Sequence, residues 1–230
     1  MHQSYWRDMI VSNLLSLLAN ILWLKVFGLT SGAALILSIY THEYGHYIMA
    51  KLAGLNPSRP GLIPYLGGYV LFDEPNNQNE LFKVAIMGPV FGGVLGIISL
   101  YLYLVFDGVF FYRLAIISLI LNLFNLLPFS ILDGAKVFMA LGYNKLVLLV
   151  NTGLFVYFVL KKEYLLVVFG VLGFISFYYY RLIRAEIKPV RKENRRLGLL
   201  IYVLLVIILI IHFCFLVSEN KYIFLSCEFG

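Results

Sequence analysis

The sequence contains little charge and almost no cysteine. Charged residues make up 13% of its 230 residues, roughly half the share in an ordinary soluble domain, whereas 61% are hydrophobic. The two cysteines, Cys214 and Cys227, have no metal-type spacing. Neither a thiolate zinc site nor a disulfide framework is therefore indicated, although a single bridge between them is left open. The composition excludes an ordinary water-soluble domain and indicates a chain that lies in a membrane.

Apolar residues form long continuous runs, several of them close to the ~20 residues that a bilayer requires. Because these runs do not alternate with polar residues, they favour helices over a β-barrel. We predict an all-α membrane protein, a polytopic bundle of six to seven transmembrane helices in a single domain covering residues 1–230. Residues 146–180 form either two spans or one helical hairpin. The predicted spans cover residues 9–27, 31–53, 81–106, 110–141 with an interruption at Pro128, 146–160, 165–180 and 197–217.

The segment between the second and third spans has a different character. Residues 56–80 contain four prolines and several glycines and asparagines, which break helices. Within it, Tyr69 to Phe72 is short, apolar and rich in strand-forming residues. We predict a small membrane-associated β-loop here, and the segment is too short for a folded accessory domain.

The formal net charge of +6 invites a nucleic-acid interpretation. The basic residues, however, lie between apolar runs, where the positive-inside rule expects them. We therefore predict no nucleic-acid partner, and no nucleotide-binding loop is visible. The strongest basic cluster belongs on the cytoplasmic side and comprises Arg181, Arg184, Lys188, Arg191, Lys192, Arg195 and Arg196. Counting spans back from it predicts a multi-pass cell-membrane protein with a cytoplasmic N-terminus, although Lys161 and Lys162 then fall on the outer side.

The second span carries His42-Glu43-Tyr44-Gly45-His46, which fits the pattern H-E-x-x-H on a helix. Residues four apart share one helical face, so both imidazoles can reach one metal while Glu43 lies beside it as a general base. Ionisable groups inside a bilayer are costly and persist mainly where they serve a function. The pattern predicts a zinc site within the membrane.

A catalytic zinc usually takes three protein ligands and leaves a position for water. The remaining candidates lie in the polar loop, at a span end, near the outer surface or inside the broken fourth span; they are Asp73, Glu74, Glu80, Asp107, His212 and Asp133. By elimination, Asp133 is the predicted third ligand. It lies about as far from the cytoplasmic end of its span as His46 does, roughly 10 to 12 Å.

These motifs resemble the site-2 protease family of intramembrane zinc metalloproteases. The residues that carry the resemblance are His42 to His46, Asn125 to Pro128, Leu132 to Gly134, Gly67 to Val70 and Gly88-Pro89. It covers about residues 31–141, the predicted catalytic core, and implies that Asp133 is the third zinc ligand. One departure concerns the glycine-proline motif, which in the family commonly has asparagine four residues after its glycine, where Gly92 stands here.

The resemblance also suggests roles for groups around the zinc. The β-loop at Gly68, Tyr69, Val70 and Leu71 would present substrate as an extended strand. Asn125 would donate a hydrogen bond to the substrate backbone or the developing oxyanion, or else satisfy backbone groups where the helix breaks. Asn122, one turn earlier, is interpreted as a structural amide.

We therefore expect an intramembrane zinc metalloprotease with one zinc ion, in which Glu43 takes the proton of the attacking water. Its substrates would be membrane-spanning or membrane-anchored proteins, with the lipid bilayer around them and the active site toward the cytoplasm. One alternative is a zinc-dependent membrane peptidase that matures a small peptide or toxin. Another is a non-catalytic zinc-binding membrane protein, although a purely structural site needs no general base between its ligands.

Overall fold

A computed structural model describes the backbone of residues 2–64, 67–129, 131–184 and 192–219. It also describes their side chains, except those at positions 2–13, 165, 180–181, 183–184 and 192–193. Within these ranges the chain forms seven helices and one pair of short strands. They are α1 (His2–Leu52), β1 (Gly61–Ile63), β2 (Gly67–Tyr69), α2 (Gln78–Phe106), α3 (Val109–Asn125), α4 (Asp133–Ala140), α5 (Asn144–Lys161), α6 (Tyr164–Arg184) and α7 (Lys192–Glu219).

Several of these helices can cross a bilayer. Four stretches are long and apolar enough, namely Leu14–Leu52, Gln78–Phe106, Asn144–Lys161 and Asn194–Glu219. Val109–Asn125 and Leu166–Tyr179 are shorter apolar helices. The predicted fold class, a helical membrane bundle with a small β-loop after the second span, is confirmed.

The first two predicted spans are the two halves of α1. Gly28 interrupts this long helix with φ 75° and ψ 166°, a backbone conformation that glycine adopts readily. Four residues later, a Cβ atom at Gly32 would lie only 2.8 Å from the Cα atom of Leu24. Trp23 packs in one buried cluster with Ile39. The chain thus folds back at Gly28, and α1 is a tight helical hairpin whose second half carries the H-E-x-x-H motif.

Three glycines four residues apart on α2 let its neighbours approach closely, as small residues do in membrane helices. A Cβ atom at Gly96 would lie 2.9 Å from Cγ of Leu119 on α3. Side chains at Gly88 and Gly92 would likewise overlap groups on α1 and α3. The second half of α1, α2 and α3 therefore form the closely packed part of the bundle.

The β-loop lies against the first half of α1. Strands β1 and β2 are antiparallel, with Leu62 opposite Gly68. The Leu62 N–H donates to Oγ of Ser16, 2.9 Å away. The predicted strand at residues 69–72 was placed too late: β2 ends at Tyr69. Leu71 instead bonds outside the sheet, accepting from the Ser58 N–H at 2.7 Å.

The predicted interruption of the fourth span separates α3 from α4. Pro128 clashes with a helical conformation in the residue before it, so α3 ends at Asn125 and α4 starts at Asp133. The last helix, α7, packs against α2 and α3, with Leu209 in one buried cluster with Leu119. The hydroxyl of Tyr202 on α7 donates to the Leu126 carbonyl oxygen, where α3 ends. Helix α7 thus supports the break that leads into Asp133.

The residues predicted as two spans or a hairpin are the helices α5 and α6. The turn between them contains Lys162 in the left-handed conformation, φ 59°. Rings of Phe155 and Phe174 stack edge to face across the pair at 5.6 Å between centroids. They form a helical hairpin, and α5 is long and apolar enough to span a bilayer.

Candidate metal centre

Two histidines and one aspartate meet between α1 and α4. The imidazoles of His42 and His46 lie on one face of α1, with ring centroids 4.8 Å apart. Asp133, the first residue of α4, places Oδ2 at 3.0 Å from Nε2 of His42 and 3.1 Å from Nε2 of His46. The two Nε2 atoms are 3.1 Å apart. All three side chains are buried, so the site lies inside the protein.

The hydrogen bonds behind the two rings define their tautomers. Nδ1 of His46 lies 2.8 Å from the carbonyl oxygen of Val84, which can only accept, so this nitrogen carries the proton. Nδ1 of His42 lies 2.8 Å from Oδ1 of Asn122, also an acceptor. Both Nε2 atoms therefore direct lone pairs toward the Asp133 carboxylate.

This arrangement fits a bound cation. Two lone-pair nitrogens and a carboxylate oxygen at 3.0 to 3.1 Å repel one another unless a positive charge lies among them. A tetrahedral zinc with bonds of about 2.0 Å separates its ligand atoms by roughly 3.3 Å, close to the observed spacing. Two imidazoles and a carboxylate also form a common catalytic zinc set.

Lys136 holds the other oxygen of the aspartate. Its Nζ lies 2.9 Å from Oδ1 of Asp133, one turn along α4. The Lys136 side chain is 42% exposed, whereas that of Asp133 is 4% exposed. Oδ2 alone is thus directed at the histidines, as for a carboxylate that binds a metal through one oxygen.

Glycines bring the backbones close enough for this contact. A Cβ atom at Gly88 would overlap Nε2 of His46 and lie 2.9 Å from Nε2 of His42. One at Gly134 would overlap the carbonyl oxygen of Leu126. The glycines of the Gly88-Pro89 and Asp133-Gly134 motifs are therefore explained by packing around the centre.

A cavity of about 540 Å³ opens beside the three side chains. Glu43 lines it one residue after His42, and its side chain is buried. A Cβ atom at Gly68 would lie 2.6 Å from Oε1 of Glu43, so β2 lies directly over this carboxylate. Lys136 lines the cavity from α4, and Phe169 lines it from α6.

Comparison with known proteins assigns the segment that carries the two histidines. Residues 31–109 match the model described as peptidase family M50. This segment belongs to peptidase family M50. The chain is 31% identical over 137 residues to a zinc metalloprotease of Methanocaldococcus jannaschii, covering 57% of this chain and 38% of that protein. It is 29% identical over 126 residues to Rip3 of Mycobacterium tuberculosis, covering 51% of this chain and 32% of that protein.

A solved structure extends the likeness beyond the M50 segment. The site-2 protease from Methanocaldococcus jannaschii matches with a TM-score of 0.51 at 22% identity, over 79% of this chain and 90% of that chain. At that identity the match shows the fold. The resemblance to site-2 proteases drawn from the motifs is confirmed. The chain spans less than half the length of the two relatives named above, from Methanocaldococcus jannaschii and Mycobacterium tuberculosis.

The other predicted site residues reach the cavity to different degrees. Gly68, Tyr69 and Val70, within the M50 segment, all line it. Leu71 does not: it is 66% exposed and lies outside the lining. Asn125, beyond the M50 segment, lines the cavity and donates one amide N–H to the carbonyl oxygen of Leu121 at 3.1 Å.

Sequence reasoning missed two neighbours of the centre. Lys136 follows Asp133 by three residues, and helical spacing alone places it on the same face. Asn122 was interpreted as a structural amide, yet its Oδ1 contacts the ring of His42. A polar amide on an apolar helix, one turn from Asn125, is the cue that could have identified it. The space beside Gly92, where the family commonly has asparagine, is filled by this Asn122 amide.

Proposed function

We propose that the protein is an intramembrane zinc metalloprotease that cleaves membrane-spanning or membrane-anchored protein substrates. One zinc ion would be held by Nε2 of His42, Nε2 of His46 and Oδ2 of Asp133. The observation that carries the proposal is the convergence of these three lone-pair atoms at 3.0 to 3.1 Å, with Glu43 beside them on the cavity wall.

In the proposed reaction, each residue around the cavity has its own chemical role. A zinc ion bound at the centre supplies Lewis acidity toward water and the scissile carbonyl. Glu43 accepts a proton from the water whose oxygen attacks the carbonyl carbon. As the C–N bond breaks, Glu43 returns that proton to the leaving amine. Asn125 has a second amide N–H, which can donate to the carbonyl oxygen as it gains negative charge.

The β-loop supports the choice of substrate. A helical substrate hides its carbonyl groups in hydrogen bonds and must be extended before attack. Strand β2 pairs with β1 along one edge, and Gly68, Tyr69 and Val70 line the cavity. An extended segment could pair with β2 and lie over Glu43, because the backbone of Gly68 borders that carboxylate.

The orientation of the centre is part of the proposal. The positive-inside rule favours the basic segment between α6 and α7 on the cytoplasmic side, with the active site facing the same side. Lys188 and Arg191 of that cluster lie outside the described residues, and the side chains of Arg181, Arg184 and Lys192 are also not described. A cysteine at position 161, the last residue of α5, should react with an impermeant reagent from outside the cell. Protection there would contradict this orientation.

The activity is tested with purified protein, a reconstituted transmembrane substrate and Glu43→Gln. The variant keeps the size of the side chain and removes the base, so we expect cleavage to fall at least ~100-fold while the zinc content stays at one per chain. Glu163→Gln makes the same chemical change at an exposed position in the α5–α6 turn and should cleave normally.

The substrate class is tested with one cleavable sequence presented with and without a membrane anchor. Preference for the anchored form supports the proposal, whereas equal cleavage of both would favour a peptidase for small peptides. Bound zinc with no Glu43-dependent cleavage of either form would contradict a proteolytic function.

A further inference from the structure

The ring of His42 has a partner on a different helix. Its Nδ1 atom lies 2.8 Å from Oδ1 of Asn122 on α3, 80 positions along the chain. Asn122 is fully buried and His42 is 4% exposed, so water cannot replace this contact. An amide carbonyl at this place accepts the Nδ1 proton and leaves the Nε2 lone pair free.

The orientation of the Asn122 amide is itself determined by α3. Its Nδ2 donates to the carbonyl oxygen of Ser118, 2.7 Å away. Because that carbonyl can only accept, the nitrogen must face it and the oxygen must face His42. A flipped amide would bring its N–H group to the protonated Nδ1 and leave two acceptors in contact at Ser118.

A second helix, α2, fixes the position of the Asn122 amide. Oγ of Ser118 donates to the carbonyl oxygen of Gly92 on α2 at 2.7 Å. At Gly92 itself, a Cβ atom would lie 2.6 Å from Cγ of Asn122. The missing side chain on α2 thus provides the space that the amide occupies.

We infer that Asn122 is a positioning residue of the metal centre, which holds His42 in the Nδ1-protonated tautomer with Nε2 directed at the zinc. This inference rests on the proposed function. Without the acceptor, the ring can rotate or carry its proton on Nε2, and either change removes one zinc ligand. Partners of this kind typically contribute ~10–100-fold in metal affinity.

The chain offers a matched control for a purely structural role. Asn151 on α5 is fully buried and donates Nδ2 to the carbonyl oxygen four residues earlier, at 2.8 Å, as Asn122 does. It lies outside the cavity lining. If the only role of Asn122 were its hydrogen bond to a backbone carbonyl of its own helix, replacing either asparagine would have the same effect on zinc binding.

The experiment measures the zinc dissociation constant of the full chain in detergent by competition with a chromophoric chelator, for wild type, Asn122→Leu, Asn122→Asp and Asn151→Leu. We expect Asn122→Leu to bind zinc ~10–100-fold more weakly. Asn122→Asp should stay within about threefold of wild type, since a protonated carboxyl group can donate to Ser118 and accept from His42. Asn151→Leu should leave the constant unchanged.

The visible spectrum of the cobalt(II)-loaded protein provides a second measurement that does not depend on cleavage. Asn122→Leu should change the ligand-field bands, whereas Asn151→Leu should preserve them. Gly92→Ala, at a residue that lines neither the cavity nor the ligand set, should reproduce the affinity loss of Asn122→Leu because its methyl group displaces the amide.

The outcomes separate this inference from the proposed function. Wild-type zinc binding with unchanged affinity and spectrum in Asn122→Leu overturns the positioning role and leaves the protease proposal in place. Equal weakening in Asn122→Leu and Asn151→Leu also overturns it, because the effect is then general destabilisation. Failure of the wild type to bind zinc overturns both.

Discussion

Adding one methyl group at Gly45 should disrupt the helix contact that sets the zinc ligands. Gly45 lies on α1 directly before His46, against α2. A Cβ atom there would lie 2.8 Å from the carbonyl carbon of Met87 and 3.0 Å from Cα of Gly88, and it would overlap the Met87 carbonyl oxygen. All three atoms belong to the α2 backbone, so no side chain can rotate away.

The size of the effect follows from these distances. Carbon atoms in contact are normally about 3.5 to 4.0 Å apart, so Gly45→Ala requires α1 and α2 to separate by roughly 0.5 to 1 Å. The hydrogen bond from Nδ1 of His46 to the Val84 carbonyl oxygen, 2.8 Å long, spans the same interface. Such a shift would lengthen it to roughly 3.3 to 3.8 Å, beyond the normal range. We expect a loss of about 1–3 kcal/mol in stability, as for other overpacked cores, and weaker zinc binding.

The assay is reversible unfolding in mixed micelles together with a zinc titration. Gly153→Ala is the matched control, because Gly153 lies within α5 and a Cβ atom there meets nothing within 4 Å. That variant should be as stable as wild type or slightly more so. If Gly45→Ala unfolds at the same point as Gly153→Ala and binds zinc equally well, the close approach of α1 and α2 is refuted.

Two further substitutions test the supports of the site. Tyr202→Phe leaves the Leu126 carbonyl without its hydroxyl donor and should lower the free energy of unfolding by about 1–3 kcal/mol. Tyr157→Phe makes the same change at an exposed position and should have no effect. An equal response of the two variants would contradict the bond. Gly68→Ala should slow cleavage by about 10–100-fold with zinc content unchanged, because its methyl group displaces the Glu43 carboxylate. Cleavage at the wild-type rate would show that the β-loop can move aside.

Much of the helical fold could be predicted because bilayer-length apolar runs leave few alternatives. The break before Asp133 was also predictable, since proline disfavours a helical conformation in the residue before it. The β-loop was harder. Its strands have three residues each, and β1 depends on Ser16, a partner 46 positions away from Leu62. Strand propensity therefore placed the strand at residues 69–72, two residues too late.

Part of the candidate site could likewise be predicted from the sequence and part could not. His42 and His46 share a helical face by spacing alone, and Asp133 was the remaining buried carboxylate on a broken span. The bond between His42 and Asn122 joins helices that are far apart in sequence, so no local pattern contains it. Leu71 was predicted to bind substrate as part of the β-loop, and in the structure it lies outside the cavity lining. Local chemistry identified the candidate ligands, whereas their partners depend on tertiary packing.

The hydrogen bond from Tyr202 to the Leu126 carbonyl bears on the order in which the candidate site is assembled. Gly134, next to Asp133, packs against that same carbonyl, so α7 supports the residues that deliver the aspartate. Chains fold progressively from the N-terminus during synthesis, and α7 leaves the ribosome after the other helices described above. Both histidines would therefore enter the membrane well before the aspartate reaches its final position. The three candidate zinc ligands would thus come together only late in biogenesis.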